Sequence, residues 1–336
     1  MAAPPARSVS LPTARGPRSA FVLDVLRGDQ RARPPAACDG GTGSAITDED
    51  LQLALYLCYE LHYGGLDGVD AGLEWDPALL SFRLLLERRF EASLRALAPS
   101  RPTVGLGGWV TALAEEVGGP SLSTYVADHA TVDQFREFVV HRSAYQLKAA
   151  DPHTWALPRL RGAAKRCLAL IQAGEYGAED DDHVLHAELF ADVMRAWGLD
   201  ARPNTYLERL PAVSLAVSNV VSMLGLHRRL RGGLAGHLAL FEMTSVEPMR
   251  RYVAALERLS APAAARRFYE VHVLADAVHE QVAAEMLQRL LADEPELGDD
   301  VAFGIGAGLV VERAFAEHLL GCWAGDESSL RPTTPG

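Results

Sequence analysis

Cysteine is scarce in this 336-residue sequence, which contains four cysteines and no Cys-x-x-Cys pair. This pattern argues against a thiolate zinc site and a disulfide framework, and it fits the reducing cytoplasm, where we expect the protein to reside. Long apolar runs are also missing. No stretch of about 18 apolar residues occurs, so no membrane-spanning helix is expected. Prolines occupy the N-terminal region where a secretory signal would need its apolar segment.

Basic residues are outnumbered by acidic residues. The sequence has 32 lysine and arginine residues against 44 aspartate and glutamate residues, which gives a formal net charge of −12. An acidic chain without a broad basic patch is poorly suited to bind nucleic acid or an anionic membrane surface. We therefore predict neither of these as a partner.

Alternating strand patterns and Asn-Gly hairpin turns are absent, which argues against a β-sheet architecture. Helical segments with apolar residues at helical spacing follow one another along most of the chain. The predicted fold class is therefore all-α, a helical bundle. The glycines of GIGAGL (304–309) lack the Gly-x-Gly-x-x-Gly spacing and a preceding strand, so they indicate close helix packing and not a dinucleotide site.

Composition divides the chain into four parts. Residues 1–45 are rich in Pro, Arg, Ala and Gly, and predict a mostly disordered N-terminal tail with a short apolar turn at 20–26. Residues 46–118 predict an N-terminal helical region and a linker, 119–325 the main helical domain, and 326–336 a disordered tail. The strongly apolar segment LALYLCYELHY of the N-terminal helical region also predicts a homodimer.

Three metal-capable side chains share one face of a single predicted helix. The segment FYEVHVLADAVHEQVAAEML (268–287) has apolar residues at helical spacing and no Gly or Pro. Within it, His272, Asp276 and His279 at positions i, i+4 and i+7 lie within roughly 60° of one another around the helix. Imidazole with carboxylate suits iron, manganese or zinc. A solvated polar face and a buried hydrogen-bonded cluster are the alternative interpretations.

A metal site in a bundle takes its ligands from facing helices, and two further segments offer donors. Glu242 lies in an apolar stretch, LALFEMTS, where an unpaired buried carboxylate is costly, although a surface position on an amphipathic helix is the alternative. The segment IQAGEYGAEDDDHVLHAELF (171–190) places four donors on one stripe if it is helical throughout: Glu175, Glu179, His183 and His186. Its acidic run is also typical of a solvated helix start.

These segments resemble the haem-oxygenase-like diiron oxidase and oxygenase family, whose members are often labelled iron-containing redox enzymes. The resemblance covers about residues 130–320, and it is carried by FREFVVHRSAYQLKAADPHTWALPRL, EYG followed by HAELFADVMRAWGLD, LGLHRRLRGGLAGHLALFEMTS and FYEVHVLADAVHEQVA. Its most specific element is a His-x-x-x-Asp-x-x-His pattern with a glutamate about 30 residues upstream and an earlier Glu…His pair. Here Glu242 lies 30 positions before His272.

The resemblance implies a haem-oxygenase-like bundle of about seven core helices that holds two iron ions in the 119–325 domain. Six residues match the family's ligand positions: Glu175, His186, Glu242, His272, Asp276 and His279. Glu179 and His183 stay open as alternatives, because the Glu-to-His spacing varies within the family and AEDDD stands here where other members often have glycines.

One ligand position of some family members has no clear counterpart. Those members add a carboxylate from the first core helix, and Ala149 and Ala150 stand near that position in this chain. Glu137 and Asp151 are the candidate substitutes for it, and Glu137 with His141 also fits a surface pair.

The resemblance also implies an enzyme, a non-haem diiron oxidoreductase. It implies two Fe ions that cycle between Fe²⁺ and Fe³⁺, dioxygen as co-substrate, a small-molecule substrate and an electron donor as a partner. The family's substrates are small amines, amino acids and fatty acids. We expect N-oxygenation, oxidative C–C cleavage or decarboxylation of an amine- or amino-acid-like metabolite in a biosynthetic pathway, with no catalytic residues beyond the metal ligands.

Two other functions are compatible with the same fold, because the fold alone does not determine the chemistry. One is a ferritin-like iron-binding protein without turnover. The other is a cofactor-free oxidase or a hydrolase, since the fold also occurs in cofactor-free oxidases and thiamine-salvage hydrolases.

Overall fold

The computed structural model describes residues 9–35, 43–178 and 183–332. Within these ranges the chain forms fourteen α-helices and no strand, which confirms the predicted all-α class. The helices are α1 Pro17–Leu26, α2 Glu49–Glu60, α3 Pro77–Leu97, α4 Trp109–Val117, α5 Leu122–Asp128, α6 Val132–Gln146, α7 Asp151–Thr154, α8 Gly162–Glu175, α9 His186–Ala196, α10 Ala212–Leu226, α11 Arg231–Thr244, α12 Val246–Arg258, α13 Ala263–Asp293 and α14 Gly298–Ala324. None of the helices in the described ranges is both long and apolar enough to cross a membrane.

Helix α10 is the most deeply buried element of the bundle. Every residue from Ala212 to Gly225 is buried, and the helix packs against α2, α6, α7, α11 and α14. Its sequence is apolar on nearly all sides, as expected for a helix without a solvent face. The 31-residue helix α13 packs against α8, α9, α11 and α12. These five helices therefore bring the predicted donor segments together.

Helices α11 and α14 approach each other at glycines. A Cβ atom on Gly304 would lie 1.8 Å from the carbonyl oxygen of Gly233, and one on Gly236 would lie 2.2 Å from the carbonyl oxygen of Val301. No side chain fits at such separations. The prediction of close helix packing for the GIGAGL segment is therefore confirmed, and this contact fixes the position of α11, which carries Glu242.

Part of the predicted N-terminal tail is folded. Residues 17–26 form α1, which packs on α2, where only a short apolar turn at 20–26 in a disordered tail was expected. Phe21 is buried, and the carboxylate of Asp50 accepts hydrogen bonds from the backbone N–H groups of Arg18 and Ser19. The average composition of the tail concealed this helix because prolines and arginines surround its short apolar segment.

Two other segments differ from the prediction in the same way. Residues 109–117 of the predicted linker form α4, which packs on α14 and buries Leu113. Residues 326–332 of the predicted C-terminal tail lie against α6, where Ser329 Oγ is 2.9 Å from His141 Nε2. Both segments are ordered by contacts with residues that are distant in the sequence. The four-part division of the chain stays a prediction.

The apolar segment that indicated a homodimer is covered by the chain itself. Every residue of α2 from Asp50 to Glu60 is buried, and α2 packs against α1, α3 and α10. The apolar character of this segment therefore does not indicate an interface, and the homodimer stays a prediction that this segment no longer supports.

Candidate metal centre

The central donors of the site lie on one face of α13. His272, Asp276 and His279 are buried, whereas Leu274 and Val278 on the opposite face are 75% and 58% exposed. The predicted helix therefore forms, but Leu274 and Val278 face solvent and the polar stripe faces the bundle. This orientation excludes a solvated polar face for the triplet.

Glu175 and His186 come from two helices and not from one. Helix α8 ends at Glu175 and α9 begins at His186, so the condition for a single stripe, a segment that is helical throughout, is not met. The chain folds back at Gly177, which has a φ of 78°, and a Cβ atom there would lie 2.7 Å from the carbonyl oxygen of Val184. This reversal brings His186 Nδ1 to 3.1 Å from Glu175 Oε1.

His183 lies away from these donors. It is exposed, it has a φ of 51°, and its Nδ1 atom is 3.2 Å from the carbonyl oxygen of Gly177. His183 is in neither group of converging donor atoms found in the described residues. Glu179, the other alternative, lies outside the residues that the structure describes.

Neither candidate substitute for a first-helix carboxylate reaches the centre. Glu137 accepts hydrogen bonds from Trp323 and from Ser329, at the other end of α6. Asp151 accepts a hydrogen bond from Tyr176 and does not line the donor cavity. The cavity wall at this point is formed by Ala149 and Ala150.

The donor atoms converge in two overlapping groups. Ligand atoms of Glu175, His186 and His272 all lie within 4.8 Å of one another, and so do those of Glu175, Glu242 and His279. Glu175 belongs to both groups. Asp276 lines the same cavity of about 70 Å³, where its Oδ2 atom accepts a hydrogen bond from Ser245 Oγ. The structure thus brings five of the six predicted donors together and places the sixth beside them.

The electrostatics of this cluster differ from those of an ordinary ion pair. No lysine or arginine within the described ranges forms an ion pair with Glu175 or Glu242, whose ion pairs are with His186 and His279. Burial works to raise the pKa of Glu175, but the hydrogen bond and charge of His186 outweigh it and lower that pKa to about 2. Burial raises the pKa of Glu242 to about 7, against the opposing hydrogen bond with His279.

Burial and neighbouring charges also act on Asp276 and His279 of α13. Burial raises the pKa of Asp276. Burial alone would lower the pKa of His279, but the hydrogen bond and charge of Glu242 raise it to about 9. Among the described residues, the buried carboxylates Glu175 and Glu242 thus have histidines and no Lys or Arg as ion-pair partners, and a divalent cation would supply further positive charge. The donor set fits a metal on this ground.

His272 is oriented as a metal-binding imidazole requires. Its Nδ1 atom lies 2.7 Å from the carbonyl oxygen of Phe268, which only accepts, so Nδ1 carries the proton. Burial, together with the charge of His186, lowers the pKa of His272 and favours the neutral ring. The Nε2 lone pair is then available, in the arrangement that usually fixes a ligating histidine.

Several residues at the site were not predicted from the sequence. Ser245 was missed, although its position three residues after Glu242 places it near the same helical face. A second cavity of about 290 Å³ adjoins the donor cavity and was missed as well. The residues shared by the two cavity walls are Tyr145, Gln146, Phe241, Ser245 and Met249.

Comparison with known families agrees with the resemblance drawn from the sequence. Residues 136–328 match the sequence model of a family described as iron-containing redox enzymes. Comparison with curated proteins finds no match. The matched range is more than half of the chain, includes all six predicted donors, and supports a redox function that involves iron. The chain therefore belongs to the iron-containing redox enzyme family.

Proposed function

We propose that the protein is a non-haem diiron oxidoreductase that uses dioxygen to oxidise a small metabolite. The observation that carries this proposal is the position of Glu175, whose carboxylate belongs to both groups of converging donors. A carboxylate shared by two groups of donors is suited to bridge two metal ions in a helical bundle. Carboxylate with imidazole is also a donor mixture that iron accepts.

Two iron ions bound in this cluster would supply the activation of dioxygen. The residues of the chain supply the rest. Phe268 holds the tautomer of His272, Ser245 orients Asp276, and Glu242 lies within ion-pair distance of His279. Burial of the donors keeps bulk water away from the reacting groups.

The substrate would reach the donors from the adjoining 290 Å³ cavity, because the two cavities share wall residues. We propose an amine- or amino-acid-like metabolite of a biosynthetic pathway, oxidised by N-oxygenation or by oxidative C–C cleavage or decarboxylation. An electron donor would be required for turnovers that consume more electrons than the substrate provides.

Iron stoichiometry tests the metal centre. Chelator-treated protein loaded anaerobically with Fe²⁺ should bind about two iron ions per chain, and His272→Ala or Asp276→Ala should lower that number. His183→Ala and Asp151→Asn are matched controls, because both side chains lie away from the converging donors. Fewer than about one iron per chain, or unchanged iron content in the His272 and Asp276 variants, would contradict the proposal.

Oxygen uptake tests the chemistry. Iron-loaded protein should consume dioxygen faster when a substrate is added, and panels of amines, amino acids and fatty acids are the first candidates. Iron uptake without any substrate-dependent oxygen consumption would support an iron-binding protein instead. Activity that survives chelation and the substitution His279→Ala would support a cofactor-free oxidase or a hydrolase.

A further inference from the structure

The larger cavity extends away from the metal donors along three helices. Its walls include residues of α6, α12 and α13, and on α13 they continue from Tyr269 to His272 and Asp276 at the donor cavity. The seven helical steps from Tyr269 to Asp276 correspond to a rise of about 10 Å. A ligand that reaches from one end to the other is therefore elongated.

The walls of this cavity are mainly aromatic. Rings of neighbouring wall residues contact each other, with centroids 5.0 Å apart for Phe138 and Tyr252 and 5.2 Å apart for Phe190 and Phe268. Phe241 lies at the junction with the donor cavity. Such walls favour an apolar and preferably aromatic ligand body.

Arg142 and Glu312 in the wall of this cavity neutralise each other. The two terminal guanidinium nitrogens of Arg142 each lie 2.7 Å from an oxygen of Glu312, and the guanidinium also stacks over the Phe315 ring at 4.4 Å. A bidentate pair of this kind leaves no net charge for a ligand to balance. A carboxylate or ammonium beside this pair would be buried without a counter-charge, which is costly.

One polar group at the far end of the cavity has no hydrogen-bond partner among the described residues. Tyr269 lines the cavity and is 2% exposed, and its hydroxyl has no hydrogen-bond partner among the described residues. Burial raises the pKa of this phenol, so it stays protonated and able to donate. A buried donor without a partner is unfavourable, and a ligand acceptor would remove that penalty.

We infer that the cavity binds an elongated, mainly apolar substrate whose far end is uncharged and accepts a hydrogen bond from Tyr269. A carbonyl, amide or ether oxygen satisfies this description, whereas a compact zwitterionic amino acid does not. The statement that this ligand is the substrate rests on the proposed function. The recognition at the far end rests on Tyr269 and on the Arg142–Glu312 pair.

Three ligands with the same phenylalkyl body separate the effect of a charged end group from the effect of the hydrogen bond to Tyr269. In iron-free protein, calorimetric titration should show that 4-phenylbutanamide binds at least about tenfold more tightly than 4-phenylbutanoate. Tyr269→Phe should weaken binding of the amide about three- to tenfold and leave butylbenzene unchanged. Tyr206→Phe is the control, since that hydroxyl lies outside the cavity and accepts a hydrogen bond from Asp200 N.

A second variant tests the paired charges. Glu312→Gln removes the partner of Arg142, so the preference should shift by about tenfold towards 4-phenylbutanoate. Circular dichroism establishes that this variant is folded. Equal or tighter binding of the carboxylate by the wild-type protein would overturn the inference, and so would unchanged amide binding by Tyr269→Phe.

Failure of this inference is distinguishable from failure of the proposed function. The probe titrations use iron-free protein, so their outcome does not depend on metal binding. Protein that takes up iron and consumes dioxygen but prefers the carboxylate probe would overturn only the inference. Protein that binds the amide probe as expected but takes up no iron would overturn only the proposed function.

Discussion

The Nδ1 atom of His279 on α13 lies 3.2 Å from Glu242 Oε2 on α11, and both side chains are buried. Glu242→Gln keeps the size of this side chain but removes its charge. We therefore expect the pKa of His279, about 9 in the wild-type protein, to fall, because the carboxylate is what raises it against burial. Histidine-ring NMR titration of iron-free protein measures this shift. Glu247→Gln, at an exposed position, is the control, and an unchanged His279 pKa in Glu242→Gln would contradict the prediction.

Ser245→Ala should weaken iron binding although Ser245 is not a predicted ligand. Its hydroxyl donates to Asp276 Oδ2, and loss of a partner that orients a ligand typically costs ten- to a hundredfold in metal affinity. Competition with a chelator of known affinity measures the change. Thr244→Val removes a neighbouring hydroxyl that bonds to the backbone oxygen of Leu240, and it should have little effect. Equal affinities of the two variants would argue against this role of Ser245.

Gly304→Ala should destabilise the fold by about 1–3 kcal/mol or more, since its methyl group would meet the Gly233 carbonyl oxygen. Gly321→Ala lies in the same helix with open space around the added methyl group, so it should be neutral or stabilising by up to about 1 kcal/mol. Urea unfolding of both variants provides the comparison. A Gly304→Ala protein as stable as Gly321→Ala would show that α11 and α14 are not in close contact.

His153 should make the fold sensitive to acid. Its Nε2 atom lies 3.1 Å from His237 Nδ1, and burial lowers the pKa of His153 to about 4. The unfolded chain binds this proton at a pKa of about 6.5, so the folded state loses stability as the pH falls from about 6.5 towards about 4, and is unaffected above that window.

The expected loss from His153 is about 2 kcal/mol at pH about 5, relative to pH about 7.5. His153→Gln should remove this part of the pH dependence, as measured by urea unfolding of chelator-treated protein at both pH values. His129→Gln, at an exposed position, should keep the wild-type dependence. A wild-type slope in the His153 variant would contradict the prediction.

The local parts of the site could be predicted from the sequence. Helical periodicity alone places His272, Asp276 and His279 on one face, and the structure has that face buried. The family pattern then selected Glu242, which lies 3.2 Å from His279. These relationships depend on spacing within one helix or on a motif of fixed length, both of which the sequence records directly.

Other parts depend on contacts that no local pattern records. The approach of His186 to Glu175 requires the chain reversal at Gly177, whereas helical periodicity places the two residues on one stripe only if the segment is a single helix. The neutral far end of the large cavity depends on Arg142 and Glu312, which are 170 positions apart. The order of α1 likewise comes from its contact with α2 and not from its composition.

Helix α13 has donors on one face and solvent on the other. His272, Asp276 and His279 face inward, while Leu274 and Val278 face water. Transient unwinding of one or two turns would withdraw all three donors at once, without disturbing α10 or the α11–α14 contact. Exchange of an ion with the surroundings would then require only a local fluctuation of α13. Hydrogen exchange of the α13 amides therefore offers a direct measure of how firmly the protein retains its metal.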